Sequence, residues 1–275
     1  MARQILPSAI IALLVLASPV RAESPIEASA SALLPELAAG VDVDEAYRAQ
    51  FDLCDTQGEF AGGGVSGMRG CRGDPNRAVL LRRLPGGPIA YVSKLAVDLD
   101  GSPFACGPNH GRSDQCPTSL MLADAQGGEV PLDADRVPYV VIPSAGPDPR
   151  PGKFSSLTGV RVGDFGVVIK DGVVVPVIVG DTGPYNKLGE GSLALHRALG
   201  RELCVDRDAG GVCSEVMPNM TSIEEGVTTV LFPGSGRSDL TPDNVEAVVR
   251  SEGLRLWEGY RRRGLAAKGP YSTPP

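Results

Sequence analysis

The sequence is poor in the residues on which several classes of protein depend. Its 275 residues include two histidines and one tryptophan, and aromatic residues make up 5% of the chain. Asp and Glu number 33 against 26 Lys and Arg, and there is no basic run. This balance argues against a nucleic-acid-binding protein, because phosphate contacts need a positive surface. Regular Leu, Glu and Lys periodicity is also sparse, which argues against a helical bundle or a coiled coil.

Motifs for metal, nucleophile and nucleotide chemistry are missing as well. No Cys-x-x-Cys pair occurs, and neither His110 nor His196 stands at a metal-ligand spacing from a cysteine, so we expect no metal site. There is no Gly-x-Ser-x-Gly, and His196 falls on the polar side of a short predicted helix, where we expect a solvated surface residue. Residues 62–67 match Gly-x-Gly-x-x-Gly, but no strand precedes them and no helix follows. We therefore predict no cofactor.

Glycine and proline are abundant instead, with 35 and 24 residues, and 42% of the chain is hydrophobic. That composition is typical of a loop-rich β protein with a real core, and we see one compact domain without an internal repeat. The strand-like runs are Ile89–Val97, Pro138–Ile142, Phe165–Lys170, Val173–Val179 and Val227–Phe232, with Gly159–Val162 as a candidate sixth. Asp171-Gly172 joins the third and fourth runs, and such a pair is the strongest short signal for a β-hairpin.

Two helices are predicted from their end signals. The first covers Ser192–Leu199, with Ser192 as the N-cap and Gly200 just past its end. The second begins at Thr241-Pro242, a good pair for the N-cap and the first helical position. It runs toward Arg261, with Gly253 as a candidate break and an apolar stripe along one side.

The N-terminus has the pattern of a secretory signal peptide. In residues 1–22 a basic start at Arg3 precedes an apolar stretch, and Val20-Arg21-Ala22 supplies small residues at the −3 and −1 positions. We expect cleavage near Ala22, a secreted or periplasmic protein and no stable membrane anchor, since the apolar stretch is too short to span. Residues 23–53 are expected to be a partly flexible leader.

All six cysteines lie after this segment, an even number in an oxidising compartment. They are Cys54, Cys71, Cys106, Cys116, Cys204 and Cys213. Three disulfides are expected, and pairing of sequence neighbours (54–71, 106–116 and 204–213) is favoured among the fifteen possible connectivities.

The segment from Gly180 to Ser192 carries the candidate acid–base chemistry. An apolar strand delivers Asp181 at its end, and a glycine-bounded loop then places Glu190 just before a helix. Glycosidic bond cleavage needs two such carboxyls, one protonated and one ionised. Structural roles are open at this point too, because an Asp at a strand end often organises a turn and a Glu near a helix start complements the dipole.

The same segment resembles the signature of glycoside hydrolase family 75, the fungal and bacterial chitosanases, in which Gly-Asp-Thr is followed by Gly-Glu-x-Ser and a short helix. Four further stretches look familial and follow in the expected order: Tyr91–Gly101, Pro117–Leu120, Val137–Pro143 and Phe232–Ser235. The similarity covers about residues 89–260.

The resemblance implies an exported hydrolase that cleaves β-1,4-linked glucosamine polymer (chitosan) within the chain, with inversion. It maps the essential pair to Asp181 and Glu190, where Glu190 protonates the leaving oxygen and Asp181 activates water. Asp98 and Asp100 are candidates to bind substrate ammonium groups, although Asp-Leu-Asp-Gly is equally typical of a turn at the end of a strand. We assign Lys94, Thr182 and Tyr185 to the substrate site as well.

The order of strand, Asp-Thr-Gly, helix and strand also looks like the double-psi β-barrels of exported lytic transglycosylases and family 45 endoglucanases. We therefore expect a mainly β, single compact domain, a double-psi-like six-stranded barrel with short flanking helices. It would occupy residues 54–265, with a tail at 266–275, and act as a monomer on a polysaccharide.

Two alternatives stay open. One is a peptidoglycan-directed muramidase or lytic transglycosylase-like enzyme, which the barrel resemblance and export suggest. The other is a non-catalytic carbohydrate-binding envelope protein that kept the fold, although retention of both Asp181 and Glu190 speaks against it.

Overall fold

The computed structural model describes residues 34–45, 80–107, 116–144, 154–184, 187–217 and 223–267. Its strands are β1 (Val41–Asp42), β2 (Leu80–Arg83), β3 (Ile89–Asp98), β4 (Met121–Ala123), β5 (Glu129–Pro131), β6 (Tyr139–Pro143), β7 (Phe165–Lys170), β8 (Val173–Gly183), β9 (Glu190–Ser192), β10 (Cys204–Arg207), β11 (Cys213–Val216) and β12 (Ile223–Leu231). Its helices are α1 (Leu34–Ala39), α2 (Pro103–Cys106), α3 (Phe154–Thr158), α4 (Leu193–Ala198) and α5 (Val245–Ala267).

Six of the strands close into a barrel. Their order is β3-β12-β7-β8-β6-β9, and β9 pairs again with β3 to complete the ring. Strands β1 and β2 extend the sheet beyond β3, while β4–β5 and β10–β11 form separate two-stranded ribbons. The expected mainly β, six-stranded barrel in one compact domain is confirmed.

The hairpin between β7 and β8 forms as its turn residues predict. Asp171 and Gly172 have φ angles of 48° and 81°, and the flanking pair is Lys170–Val173. Both turn residues lie in the left-handed region, which gives a two-residue loop the twist of the strands it joins.

The sixth barrel strand is not the expected one. Gly159–Val162 forms no strand but a turn region after α3, in which the Arg161 amide donates to Asp164 Oδ2 over 2.8 Å. The sixth position belongs to β9, a strand of three residues between β3 and β6. Val160 still contributes to the barrel core, so its apolar character reflects burial without strand pairing.

The core has an inner and an outer part. Side chains inside the barrel form one buried cluster, which includes Ile89, Tyr91, Leu95, Val140, Val168, Val177, Val179 and Leu231. Outward-facing side chains form further clusters beneath α5, for example Tyr139, Val141, Phe165 and Ile178 with Val245 and Val249. Because inward and outward residues alternate along each strand, the outer face of β6, β7 and β8 is a second packed surface.

Helix α4 confirms its predicted end signals. Ser192 is the N-cap, with its Oγ accepting a hydrogen bond from the Leu195 amide over 3.2 Å. Gly200 follows the helix with φ 83°, the left-handed conformation for which glycine carries no steric cost.

His196 on α4 is fully buried, and its prediction as a solvated surface residue is wrong. Its Nδ1 lies 2.9 Å from Ser192 O and its Nε2 lies 3.1 Å from Leu95 O. The helix packs against several barrel strands and keeps Leu193 and Leu195 buried as well, so it has no solvated face at this position. Burial lowers the pKa of His196, against the opposing effect of its hydrogen bonds to the two carbonyls.

Helix α5 differs from its prediction in two respects, the residue at which it begins and its continuity at Gly253. It begins at Val245 after a turn over residues 242–244, although the Thr241 carbonyl already accepts the Val245 amide over 3.0 Å. It continues unbroken through Gly253. A Cβ at Gly253 would lie 2.8 Å from Pro176 Cβ, so the glycine serves close packing of the helix on β8.

Two of the three expected disulfides lie among the described residues. Cys106–Cys116 and Cys204–Cys213 both form, with Cα–Cα distances of 4.6 and 5.7 Å. The pair 54–71 lies outside the described residues, as do the signal peptide and His110.

Within the region predicted as a leader, residues 34–45 form α1 and β1. Arg82 on β2 donates hydrogen bonds to Leu37 O and to Asp42 in this segment. Among the described helices, none combines the length and the apolar character needed to cross a membrane.

A buried aspartate fastens the β10–β11 ribbon to α4. Asp135 accepts hydrogen bonds from Arg197, Arg207 and the Cys213 amide. Burial alone would raise the pKa of Asp135, but these hydrogen bonds together lower it. The network therefore holds the β10–β11 ribbon, which the Cys204–Cys213 disulfide closes, against α4.

Candidate active site

A bulge in β8 sets the position of Asp181. The register of β8 on β6 shifts by one between Val179 and Asp181, which makes Gly180 the extra residue. A Cβ at Gly180 would lie 2.7 Å from Tyr139 Cγ, so only glycine fits there without displacing the ring. Bulges of this kind re-aim a side chain next to an active site.

The carboxylate of Asp181 is held by three hydrogen-bond donors. Its Oδ1 accepts the Ser119 amide over 2.8 Å, the Ser119 hydroxyl over 2.6 Å and the Thr182 amide over 2.7 Å. Asp181 is buried, with 5% of its surface exposed. Three donors on one oxygen fix the orientation of the carboxyl group, so Asp181 is held in one position in the site.

Glu190 lies on the same face of the sheet as Asp181. Val141 on β6 pairs with Asp181 on one side and with Glu190 on the other, and paired residues share a face. Because neighbouring strands are about 4.8 Å apart, the two Cα atoms are about 10 Å apart. Lys187 Nζ donates to Glu190 Oε1 over 2.9 Å, and a Cβ at Gly183 would lie 3.1 Å from Oε2.

Asp98 and Asp100 complete an acidic cluster with Asp181. One carboxylate oxygen from each of the three lies within 4.8 Å of the others. Asp98 ends β3, where it pairs with Ser192 while Ala96 pairs with Glu190, so Asp98 is a diagonal neighbour of Glu190. Burial, followed by the charge of Glu190, raises the pKa of Asp98 well above its usual range, and Asp100 and Asp181 add to this.

Tyr139 lies directly beneath the cluster. Its ring is fully buried, and its hydroxyl donates to the Asp100 carbonyl over 2.8 Å. Burial, and then the charges of Asp98, Asp181 and Asp100, raise the pKa of Tyr139 well above its usual value. The phenol therefore stays neutral and available as a hydrogen-bonding group.

The structure thus brings Asp98, Asp100, Asp181 and Glu190 together on one face of the barrel. Thr182 is exposed beside them, and Lys94 lies half-buried earlier on β3, where a Cβ at Gly189 would meet its carbonyl oxygen at 1.9 Å. Tyr185 lies outside the described residues.

Three members of the site are absent from the residues assigned to it from the sequence. Ser119 and Tyr139 contact the acidic cluster directly, and Lys187 forms an ion pair with Glu190. The sequence pointed to Ser119 and Tyr139 indirectly, since both stand in stretches that carry the family resemblance. No signal marked the lysine apart from its place in the glycine-bounded loop.

Comparison with known proteins agrees with this geometry. Residues 95–255 match the family described as fungal chitosanase of glycosyl hydrolase group 75. The match covers more than half of the chain and includes all four clustered carboxyls, which confirms the resemblance read from the motifs. No curated protein matches the chain significantly.

Proposed function

This chain belongs to glycosyl hydrolase group 75, and from that premise we propose that it hydrolyses chitosan within the polymer chain, with inversion at the anomeric carbon. The observation that carries the proposal is the placement of Asp181 and Glu190 on one face, on either side of Val141. Two carboxyls on either side of a sugar-binding surface are what hydrolysis of a glycosidic bond requires.

Asp181 is proposed as the general base. Ser119 and Thr182 engage its Oδ1, so Oδ2 is the oxygen that takes the proton from the attacking water. The fixed orientation matters because a base must meet its water within hydrogen-bonding distance in the productive geometry.

Glu190 is proposed as the general acid that protonates the leaving oxygen. Lys187 occupies its Oε1, which leaves Oε2, beside Gly183, to carry the proton. Lys187 also stabilises the carboxylate that remains once the proton has been given away.

The family resemblance implies inversion, so we propose a single displacement without a covalent intermediate. Inverting enzymes keep their carboxyls about 6.5–9.5 Å apart to admit a water, and retaining enzymes keep them about 5–5.5 Å apart. We therefore expect the wider separation between the carboxyls of Asp181 and Glu190.

The remaining substrate contacts stay predictions. They assign sugar binding to Asp98, Asp100, Lys94, Thr182 and Tyr185. We also propose export and action as a monomer on the polysaccharide; the two disulfides fit an oxidising compartment.

Reducing-end assays on chitosan, on fully acetylated chitin and on peptidoglycan test the proposal. We expect new reducing ends from chitosan, and a loss of several orders of magnitude in both Asp181→Asn and Glu190→Gln with folding intact. Asp124→Asn, in the turn between β4 and β5, is the matched control and should keep the wild-type rate. Cleavage of peptidoglycan alone would favour the muramidase alternative, and binding of chitosan without cleavage would favour the non-catalytic one.

A further inference from the structure

The hydroxyl hydrogens beside Asp181 can be assigned from the contacts around it. Asp181 Oδ1 accepts the Ser119 hydroxyl over 2.6 Å, and a serine has one hydroxyl hydrogen to give. The hydroxyl oxygens of Ser119 and Thr182 lie 2.8 Å apart. Because the hydrogen of Ser119 is already used, Thr182 must be the donor in this second contact. The Thr182 amide also donates to Ser119 Oγ, over 3.1 Å.

This assignment leaves Thr182 Oγ1 as an acceptor towards any other group. Its single hydrogen is directed at Ser119, and its remaining lone pair is directed elsewhere. Thr182 is exposed, whereas Asp181 is buried, so the threonine hydroxyl lies at the solvent edge of the site. The group that binds it there must therefore donate a hydrogen.

Thr182 Oγ1 also lies close to the proposed base. Successive side chains of a strand normally point to opposite faces. Asp181 and Thr182 nevertheless both reach the Ser119 hydroxyl, through the contacts of 2.6 and 2.8 Å. Ser119 thus brings two neighbouring side chains of β8 to one edge of the site. A water molecule can bridge two acceptors that are separated in this way.

We propose that Thr182 holds the attacking water together with Asp181, instead of binding the sugar. The water donates one hydrogen to Asp181 Oδ2 and the other to Thr182 Oγ1, which leaves a lone pair of its oxygen to face the anomeric carbon. As the bond from the water oxygen to this carbon forms, one proton passes to Asp181 and the other hydrogen stays on the new hydroxyl group. The glycosidic bond breaks with its electron pair on the leaving oxygen, which takes the proton of Glu190.

The second acceptor matters because a water molecule held by one hydrogen bond can still rotate. With both hydrogens engaged, the direction of attack is fixed, and orientation supplies a large part of the rate of such a reaction. Ser119 acts through Asp181 and Thr182, so it is a positioning residue, whereas Thr182 contacts the reacting water. The direction of the hydroxyl hydrogens is a property of the resting protein, and only the use of the water rests on the proposed function.

Neutron diffraction from crystals of the full chain, exchanged into heavy water, tests the assignment of the hydrogens without substrate. We expect deuterium on Thr182 Oγ1 directed at Ser119 Oγ, and deuterium on Ser119 Oγ directed at Asp181 Oδ1. Deuterium on Ser119 directed at Thr182 would overturn the proposal, because the threonine hydroxyl would then be free to donate to the substrate.

Kinetics on glucosamine oligomers test the role of the acceptor. Thr182→Val keeps the shape of the side chain and removes its oxygen, so we expect kcat to fall about tenfold or more and KM to stay within about twofold. Thr182→Ser restores the oxygen, and its kcat should exceed that of Thr182→Val about fivefold or more. Ser214→Ala, which removes an exposed hydroxyl on β11, is the control and should keep both constants.

A role in sugar binding predicts a different result for the same variant. If Thr182 bound the ammonium group or a sugar hydroxyl, Thr182→Val would raise KM about tenfold with little change in kcat, and that outcome would contradict the proposal. A wild-type kcat in Thr182→Val would contradict it as well. If the wild type cleaves no glucosamine polymer, the proposed function fails, and the neutron map alone decides whether Thr182 is an acceptor.

Discussion

At the scale of single residues, the site depends on a few hydrogen bonds that fix the direction of a charge. Ser119 gives Asp181 two of its three donors, from its amide and its hydroxyl. The serine lies before β4 and the aspartate lies in β8, so the contact joins two distant parts of the chain. Orientation of the proposed base therefore comes from tertiary packing.

Removing the serine hydroxyl should slow the reaction while leaving the fold intact. A hydrogen bond to a charged group contributes about 1.5–3 kcal/mol, so Ser119→Ala should lower kcat on chitosan about 10- to 100-fold. Ser214→Ala, an exposed serine on β11, is the control and should keep the wild-type rate. A wild-type kcat in Ser119→Ala would mean that the amides of Ser119 and Thr182 suffice.

Asp98 gives a prediction about stability and pH. Its pKa is raised in the folded protein by burial and then by Glu190. The contribution of Asp98 to the free energy of unfolding is therefore fully present below the pKa that this group has in the unfolded chain, about 3.9. This contribution is lost as pH rises through the higher pKa that the group has in the folded protein. Asp98→Asn removes this dependence, so its melting temperature should exceed that of the wild type at pH 7 to 8. Thermal scans from pH 4 upward should show the difference growing with pH, and a constant difference would contradict it.

The residues that could be predicted from the sequence are those whose chemistry is local. Asp181 and Glu190 stand in one glycine-bounded segment, so their order and spacing could be read directly. The contacts of Ser119 and Tyr139 with the acidic cluster could not, because they depend on how distant strands align. His196 was misjudged for the same reason, since a six-residue helix takes its buried side from its neighbours.

At the scale of elements, β9 closes the barrel with three residues. It pairs in parallel with β3 and antiparallel with β6, and so carries Glu190 between them. A three-residue strand has no alternation to detect, and its pairing partners are far away in the chain. The β7–β8 hairpin was predictable because its signal lies within one short segment.

Two glycines of α5 should respond in opposite directions to alanine. A Cβ at Gly253 would lie 2.9 Å from Gly166 O and 2.8 Å from Pro176 Cβ, so Gly253→Ala should destabilise the fold by about 1–3 kcal/mol. At Gly259 a Cβ would meet only the end of the Arg263 side chain at 3.6 Å, and Gly259→Ala should stabilise by about 0.5–1 kcal/mol. Chemical denaturation of both variants measures the difference, and equal effects would refute the packing of α5 on β8.

At the scale of the whole molecule, charge matches the proposed substrate. The chain carries a formal net charge of −7, and a cluster of carboxyls lies on one face of the barrel. A negatively charged protein attracts a polycation. Dissolved salt screens this attraction, with a screening length of about 10 Å at 0.1 M ionic strength.

Salt should therefore weaken the action on chitosan selectively. Raising ionic strength from about 0.05 to 0.5 M shortens the screening length, so KM for partially deacetylated chitin should rise, and activity on it should exceed that on the fully acetylated polymer at low salt. Initial rates on both polymers give the comparison. Equal turnover of the two, insensitive to salt, would indicate a site for neutral sugars.

The most direct test of the central claim is proton NMR of the wild-type protein during the first minutes of chitosan digestion. An inverting reaction through Asp181 and Glu190 converts β linkages into α reducing ends. The account predicts that α-anomeric signals appear first and that β signals follow by mutarotation. A first product in the β form would contradict it.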